Sequence, residues 1–483
     1  MTDTIDFQSE LPYVNIMESE IINLKVHIKN FGCQMNRLDS ALVSTSLSRS
    51  GFNVTESVKE ADVVLINTCS VRQHAEQRVL SQLGHLKHIK KSRPDMIVGV
   101  IGCMAQRLGG ELLEHEAVNI VCGPIQIPQI AELITEAINK RKKEMAVTEK
   151  ILQKTTEQLN QALEQFESAY GIEEDNIPSQ AFVRVMRGCN NFCTYCIVPY
   201  VRGLEVCRAP EVIIEQIRKL TEHGIRQITL LGQTVNSYKY KRDGKTWSLA
   251  DLLKAAGDIE GIDWLRFVTS YPCEEFFDDI MLAMADCPKI CNYLHMPAQS
   301  GSDKILKAMN RHYTASSYLE LLERARTIVP GISIAGDFIV GFPGESDEDF
   351  QATVDLAKKA RYKNAFIFKY SPRPGTISDK RKEDTVPAET KQKRNVELLA
   401  VQEKISEQLS KDYLNRHVKV LVEGLSKKPH LNSAENENNP QLVGRTETDY
   451  IVVFNGPLSL AGQFAEVKII KSAPLTLFGE LIG

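Results

Sequence analysis

The chain reads as an α/β protein in three parts: an N-terminal α/β sheet domain, a central partial (β/α)6 barrel, and a small C-terminal β-barrel. Three observations predict this. Apolar strand-like runs alternate with helical stretches from Leu24 to about Asn139; the same alternation repeats six times between Phe182 and Phe368; after about Arg416 helical spacing gives way to five short strand-like runs. With 483 residues and roughly 100 to 200 per domain, each part has material for its own core.

In the first domain, 24–139, the expected strands are Val26-His-Ile, Asp62-Val-Val-Leu-Ile-Asn, Met96-Ile-Val-Gly-Val-Ile-Gly and Val118-Asn-Ile-Val-Cys, a parallel sheet. Residues 140–180 open with Lys140-Arg-Lys-Lys and continue Gln- and Glu-rich, with Ile151, Leu159, Leu163 and Phe166 at near-helical spacing, which predicts a linker helix. The third segment, 181–414, repeats strand and helix. Its strands are Phe182-Val-Arg-Val-Met, Gln227-Ile-Thr-Leu-Leu, Leu265-Arg-Phe-Val, Ile290-Cys-Asn-Tyr-Leu, Ile332-Ser-Ile and Ala365-Phe-Ile-Phe. Ligands of such barrels gather at the carboxyl ends of the strands. In the last segment, 415–483, strand-like runs begin at His417, Gln441, Tyr450, Phe464 and Leu475, as in small barrels that handle nucleic acid.

Net charge of −4, from 58 Lys and Arg against 62 Asp and Glu, gives no global pull toward nucleic acid, so RNA contact must rest on local patches. Arg184, Arg187, Arg202 and Arg208 bracket a cysteine-rich loop and suit phosphate or carboxylate. A second patch runs from Lys380 to Arg394 and includes Lys382. From Arg416 onward, seven basic residues offset seven acidic ones. No run approaches the roughly 18 apolar residues of a membrane span. The N-terminus carries Asp3, Asp6, Glu10, Glu18 and Glu20 before its first basic residue, Lys25, unlike a secretory or transit signal. The expected location is the reducing cytoplasm, where eleven cysteines fit metal ligation better than a disulfide framework.

Chemistry concentrates in Arg187-Gly-Cys-Asn-Asn-Phe-Cys-Thr-Tyr-Cys. Three thiols at C-x3-C-x2-C spacing, Cys189, Cys193 and Cys196, suit an iron-sulfur cluster whose fourth iron stays open; the alternatives are a zinc site closed by Cys207 or three unrelated buried thiols. Cys33, Cys69 and Cys103 each stand where one of the first three strands ends, so they can converge on a second cradle, although dispersed cysteines also serve as small core residues. At the strand ends of the central barrel, Gln233, Asn236, Gln299, Ser300 and Asp337 offer donors and acceptors for an adenosine and an amino-acid head group. Cys122, Cys273, Cys287 and Cys291 are read as structural.

The cysteine loop resembles that of the radical S-adenosylmethionine superfamily. Gly32-Cys33-Gln-Met-Asn, Asn67-Thr-Cys69-Ser, Gly102-Cys103-Met-Ala-Gln, Leu231-Gly-Gln-Thr-Val-Asn-Ser-Tyr, Gln299-Ser-Gly-Ser, Asp337-Phe-Ile-Val-Gly-Phe-Pro-Gly-Glu and Tyr370-Ser-Pro-Arg-Pro-Gly-Thr together resemble the methylthiotransferases, from about residue 24 to the end, with a terminal barrel similar to their TRAM domain. The resemblance implies two [4Fe-4S] clusters, the second on Cys33, Cys69 and Cys103, and S-adenosylmethionine as cofactor. It also implies an electron donor such as flavodoxin or ferredoxin, a tRNA anticodon loop as substrate, and a monomer with no membrane attachment. Gly-Cys-Gln-Met-Asn is similar to the branch acting on dimethylallyladenosine, the other branches acting on a ribosomal-protein aspartate or on threonylcarbamoyl-adenosine; a reading outside enzymes is a metal-stabilised RNA-binding protein. The sequence departs from the family at Val201, Cys207, Tyr271, Thr234 and the Gln/Glu-rich segment after Lys140, and none of these is expected to touch a proposed ligand.

An aromatic C–H such as carbon 2 of adenine is not acidic and has no leaving group beside it. Exchanging that hydrogen for sulfur calls for radical chemistry, with the cofactors supplying it and the protein orienting and shielding it. A base in an anticodon loop is unpaired and can be turned into a pocket at low unstacking cost.

Overall fold

A computed structural model describes residues 24–70, 73–149, 151–153, 155–170, 180–381, 383–428 and 439–482. The acidic stretch from Asp3 to Glu20, residues 171–179 of the expected linker, Lys382 of the second basic patch and Gly483 lie outside these. The described chain divides into two compact units: residues up to Glu149 with Gln158–Tyr170, and the rest.

The first unit is built on six strands, β1 Lys25–Phe31, β2 Asn53–Val54, β3 Val63–Thr68, β4 Ile97–Gly102, β5 Ile120–Cys122 and β6 Glu144–Ala146, all parallel in the order β2-β1-β3-β4-β5-β6. Every residue of β3 and β4 is buried, because alternate side chains enter two separate cores. Val63 and Leu65 pack with Val43, Leu47, Ile130 and Ile134, whereas Val64 and Ile66 pack with Val79, Leu83 and Leu86. The stretch read as a linker helix holds its helix, Glu157–Ser168, but also supplies β6, three residues on the edge of the sheet. Phe166 packs on the core of this unit and Leu163 is buried.

In the second unit the strands are β7 Gln180–Arg184, β8 Met186–Arg187, β9 Val206–Cys207, β10 Gln227–Leu231, β11 Lys239–Arg242, β12 Lys245–Ser248, β13 Trp264–Phe267, β14 Tyr293–His295, β15 Ser333–Val340 and β16 Asn364–Lys369. Two parallel three-stranded sheets, β7-β10-β13 and β14-β15-β16, join through a parallel bridge from Leu265 to Ile290, which completes the expected six-strand layer. Pairs β8–β9 and β11–β12 are antiparallel ribbons outside it. Helices follow where turn chemistry starts them: Pro210 is at the first turn of Pro210–Glu222, and the side chains of Ser248, Thr314 and Ser346 cap Leu249–Gly257, Ala315–Ile328 and Asp347–Ala360.

The terminal strands β17 His417–Leu425, β18 Gln441–Arg445, β19 Ile451–Asn455, β20 Phe464–Ser472 and β21 Thr476–Leu481 close a barrel in the order β17-β18-β19-β21-β20 around Val420, Leu442, Val452, Phe454, Val467 and Ile469. The barrel is fixed to the strand layer from its β18–β19 turn. Arg266 donates to the Thr446 carbonyl at 2.6 Å and the Glu447 carbonyl at 3.0 Å, and the Lys363 ammonium donates to the backbone oxygen of Asp449 and, at 3.1 Å, to its carboxylate. Trp264 and Cys291 pack against Leu421 and Phe464 alongside.

Candidate metal centres

The loop after β8 is pressed into place by backbone. Gly188 has φ +66°, and a β-carbon there would meet the Leu204 carbonyl oxygen at 2.0 Å, so only glycine fits. The Cys189 N–H then donates to the Gly203 carbonyl at 3.2 Å. From the far side, the segment after the helix Asp303–Ala308 clamps the loop. Thr194 donates its N–H to the Met309 carbonyl and its hydroxyl to the Ala308 carbonyl, both at 3.0 Å, and Asn310 donates to the carbonyls of Asn191 and Phe192 at 3.1 and 3.2 Å.

Two side chains reach the thiols themselves. Thr234 Oγ1 lies 3.4 Å from Cys189 Sγ and accepts from Asn191 at 3.1 Å; Arg311 Nη1 donates to Cys193 Sγ at 3.4 Å. Thr234 therefore corrects the expectation that no departure from the family pattern touches a proposed ligand. The Arg311 guanidinium is partly buried. It donates to the Pro297 carbonyl at 3.1 Å and the Tyr313 hydroxyl at 2.9 Å and lies 4.3 Å from the ring centre of Tyr271, a second departure. Burial pushes the Cys189 and Cys196 thiols up, and charge on Cys193 pushes the same way at both, so the three thiols share one electrostatic site; Arg311 opposes the rise at Cys196. A bound metal reverses that balance by favouring thiolate. Burial also raises Cys207, to about 11; it stands opposite Met186 in the β8–β9 ribbon.

Strand register brings the other trio together. Phe31 pairs with Thr68 and Thr68 with Gly102, so Cys69 and Cys103 follow directly on paired positions and Cys33 comes two residues beyond the third. Adjacent strands are about 4.8 Å apart, so the three cysteine positions lie next to one another at the carboxyl end of the sheet. Cys69 and Cys103 are buried, Cys33 is exposed, and among the described residues no cysteine is in a disulfide. Among those residues no group of three or more His, Cys, Asp or Glu closes around a single ion; a four-iron cluster holds its ligands farther apart.

The remaining expected site residues divide. Gln299, at φ +70°, donates its N–H to the Asp337 carbonyl at 2.7 Å and accepts from the Ile339 N–H at 2.9 Å, so those two strand ends meet. The Asp337 carboxylate, half-buried, lies 3.3 Å from His295 Nε2. Asn236 uses its amide on the backbone of Tyr271, donating and accepting at 2.7 Å, while the buried Ser300 hydroxyl lies 3.3 Å from Thr353 Oγ1 and accepts the Ser302 N–H at 3.2 Å. Gln233 is half-buried beside Thr234. Of the four arginines, Arg184 and Arg208 are buried, and Arg208 donates to the Arg184 carbonyl at 2.5 Å and Gln216 at 2.9 Å. Arg184 and Arg208 thus lie inside the fold, whereas Arg187 and Arg202 are half-buried.

Residues 183–357 match the radical SAM superfamily, 411–482 the TRAM domain, and 25–123 the family described as uncharacterized protein family UPF0004. Among solved structures, a radical S-adenosylmethionine methyltransferase, TsrM from Kitasatospora setae, aligns at TM-score 0.50 and 16% identity over 74% of this chain and 77% of that one, a likeness of fold. The fold and the cysteine loop together define a radical SAM protein. Curated relatives named tRNA-2-methylthio-N(6)-dimethylallyladenosine synthase include one from Rhodopirellula baltica, 43% identical over 94% of this chain and 95% of its own length, and one from Thermoanaerobacter sp., 40% identical over 95% and 93%. The chain belongs to the tRNA-2-methylthio-N(6)-dimethylallyladenosine synthase family.

Proposed function

We propose that the chain replaces the hydrogen on carbon 2 of the isopentenylated adenosine 3′ of the tRNA anticodon with a methylthio group. Cys189, Cys193 and Cys196 hold one [4Fe-4S] cluster, and Cys33, Cys69 and Cys103 hold the other. One observation carries the reading: two sets of three thiols, one following the ends of three parallel strands and one within the loop after β8, occur in a chain related along 94% of its length to enzymes named for this product.

The donor set fits. The side chains found against the loop thiols are Thr234 and Arg311, neither of them an iron ligand, so three thiols meeting four irons leave one iron for the amino-acid end of S-adenosylmethionine. When bound, the first cluster supplies the electron that cleaves S-adenosylmethionine and the second holds the sulfur to be transferred. The protein's part is support and recognition. Arg311 and Thr234 fix two of the thiols, Asn236 and Ser300 stiffen the walls, and Gln233, Gln299 and Asp337 face the cofactor. Carboxylate oxygens accept from paired hydroxyls, which suits Asp337 to a ribose. Arg187, Arg202 and the terminal barrel hold phosphates. An electron donor such as flavodoxin or ferredoxin serves the first cluster, and the chain works as a cytoplasmic monomer; no described helix is long and apolar enough to cross a membrane.

The test is the tRNA of a strain lacking this gene, examined by mass spectrometry. Adenosines there should keep the isopentenyl group and lack the methylthio group, and the gene supplied in trans should restore it. Unchanged tRNA would end the proposal.

A further inference from the structure

Side chains that are not themselves ligands sew together the strand ends carrying Cys33, Cys69 and Cys103. Asn36 Nδ2 donates to Asn67 Oδ1 at 3.0 Å and to the Thr68 carbonyl at 2.8 Å, and Asn67 Nδ2 returns to the Asn36 carbonyl at 2.8 Å and to Ser40 Oγ at 2.9 Å. The Thr68 hydroxyl donates to the Ile101 carbonyl at 2.6 Å and accepts the Met104 N–H at 3.2 Å. Asn36, Asn67 and Thr68 are fully buried. The chain is shaped around them: a β-carbon on Gly32 would sit 2.5 Å from Asn36, and one on Gly102, at φ +92°, would sit 2.7 Å from Asn67 Oδ1. At the open edge, the exposed Cys33 thiol donates to Asn36 Oδ1 at 3.2 Å.

We propose that Asn36, Asn67 and Thr68 are positioning residues that hold the three thiols in their ligating arrangement before metal arrives, so that the second cluster enters a preformed cradle. This rests on the reading of Cys33, Cys69 and Cys103 as ligands and adds what keeps them together. Buried amide and hydroxyl groups are costly to leave unpaired, so the network has one satisfied arrangement, and that arrangement ties the β1, β3 and β4 ends to one another. A site ordered by folding leaves less freedom to lose when the cluster binds. Cys33 depends on it most, because it stands two residues past its strand and in solvent.

The test uses the full chain with Cys189, Cys193 and Cys196 replaced by Ala, so that only the first unit can hold a cluster. After anaerobic reconstitution, iron and sulfide per chain are measured, then the rate of iron release to a chelator, with thermal unfolding of each apoprotein as control. Thr68→Val keeps the shape and loses the hydroxyl, Thr68→Ser keeps the hydroxyl, and Asn36→Ala removes the centre of the network. Val64→Ala loosens the buried core of the same strand without touching the network. Iron release should quicken about tenfold or more in Thr68→Val and Asn36→Ala, the usual scale for losing a ligand's support, and stay near the parent in Thr68→Ser and Val64→Ala. Release as fast from Val64→Ala as from Thr68→Val, or unchanged in both network variants, would overturn the proposal. A parent that takes up no iron would instead sink the ligand assignment itself.

Discussion

Gly188 concentrates two constraints in one residue, a left-handed φ of +66° and a carbonyl oxygen 2.0 Å from where a β-carbon would stand. Gly188→Ala should destabilise by about 1–3 kcal/mol for the backbone conformation alone, with the clash added, and urea unfolding should show it. Asp349 gives a residue-scale pH dependence. Its partial burial works against ionisation, but hydrogen bonds from Lys304 at 2.6 Å, the Ser346 N–H at 2.9 Å and Ser302 at 2.7 Å outweigh this and hold the carboxyl far below its ordinary value. A depressed carboxylate contributes stability in full above its unfolded pKa of about 3.9 and loses it as pH falls toward the folded value. Denaturation midpoints across an acid series should therefore fall less steeply below about pH 4 in Asp349→Asn than in the parent. Arg311 could not be singled out from sequence, and Thr234 stood out there as a departure from the family pattern but not as a neighbour of Cys189. A single basic residue in a loop has no periodicity or spacing to mark it, and Arg311 meets Cys193 across 118 residues of chain. The loop cysteines stand out in the sequence because C-x3-C-x2-C is a spacing that cluster ligands take, whereas Cys33, Cys69 and Cys103 are marked only by their places at strand ends.

Strands announced themselves where apolar runs were long, as in β3, β4 and β10, and failed to where a function or an edge interrupted the run. Ile332-Ser-Ile marked only the start of β15, which continues to Val340, because Gly336 lies against the Tyr362 ring and Asp337 turns to the opposite face toward His295. β2 and β6, of two and three residues, carry too little pattern to see. The β18–β19 turn shows an element whose task is docking. Asp449 is half-buried, and its carboxylate meets Lys363 at 3.1 Å and Arg445 at 3.0 Å. Burial brings the Lys363 ammonium down to about 8 despite that partner, while Lys363, Arg445 and Arg266 hold the Asp449 carboxyl below its ordinary value against the opposing effect of burial. Asp449→Asn leaves the buried Lys363 ammonium without its carboxylate, whereas Arg445 keeps Glu423 at 3.0 Å, and should cost about 3–5 kcal/mol. Limited proteolysis of the full chain should then release the terminal barrel earlier than in the parent, whereas equal resistance would show that the apolar contact of Trp264 with Phe464 suffices.

At the scale of the whole molecule, the six thiols belong to two different units, three in each, and each trio has its own supports: Thr234 and Arg311 for one, Asn36 for the other. Separate supports imply separable losses. Cys193→Ala should abolish formation of 5′-deoxyadenosine under reducing conditions, because a loop with two thiols no longer presents a cluster with one open iron. Cys69→Ala should leave a substantial part of that cleavage while stopping sulfur transfer to tRNA, and should lower the iron content from about eight per chain toward about four. Both products are measured on the same reconstituted samples, so the ratio between them is free of differences in protein quality. If Cys69→Ala lost cleavage and transfer in equal measure, with all iron gone, the six thiols would have to serve one shared cluster. The assignment of one cluster to each unit would then be wrong, however closely the strand ends of each unit match the pattern for holding it.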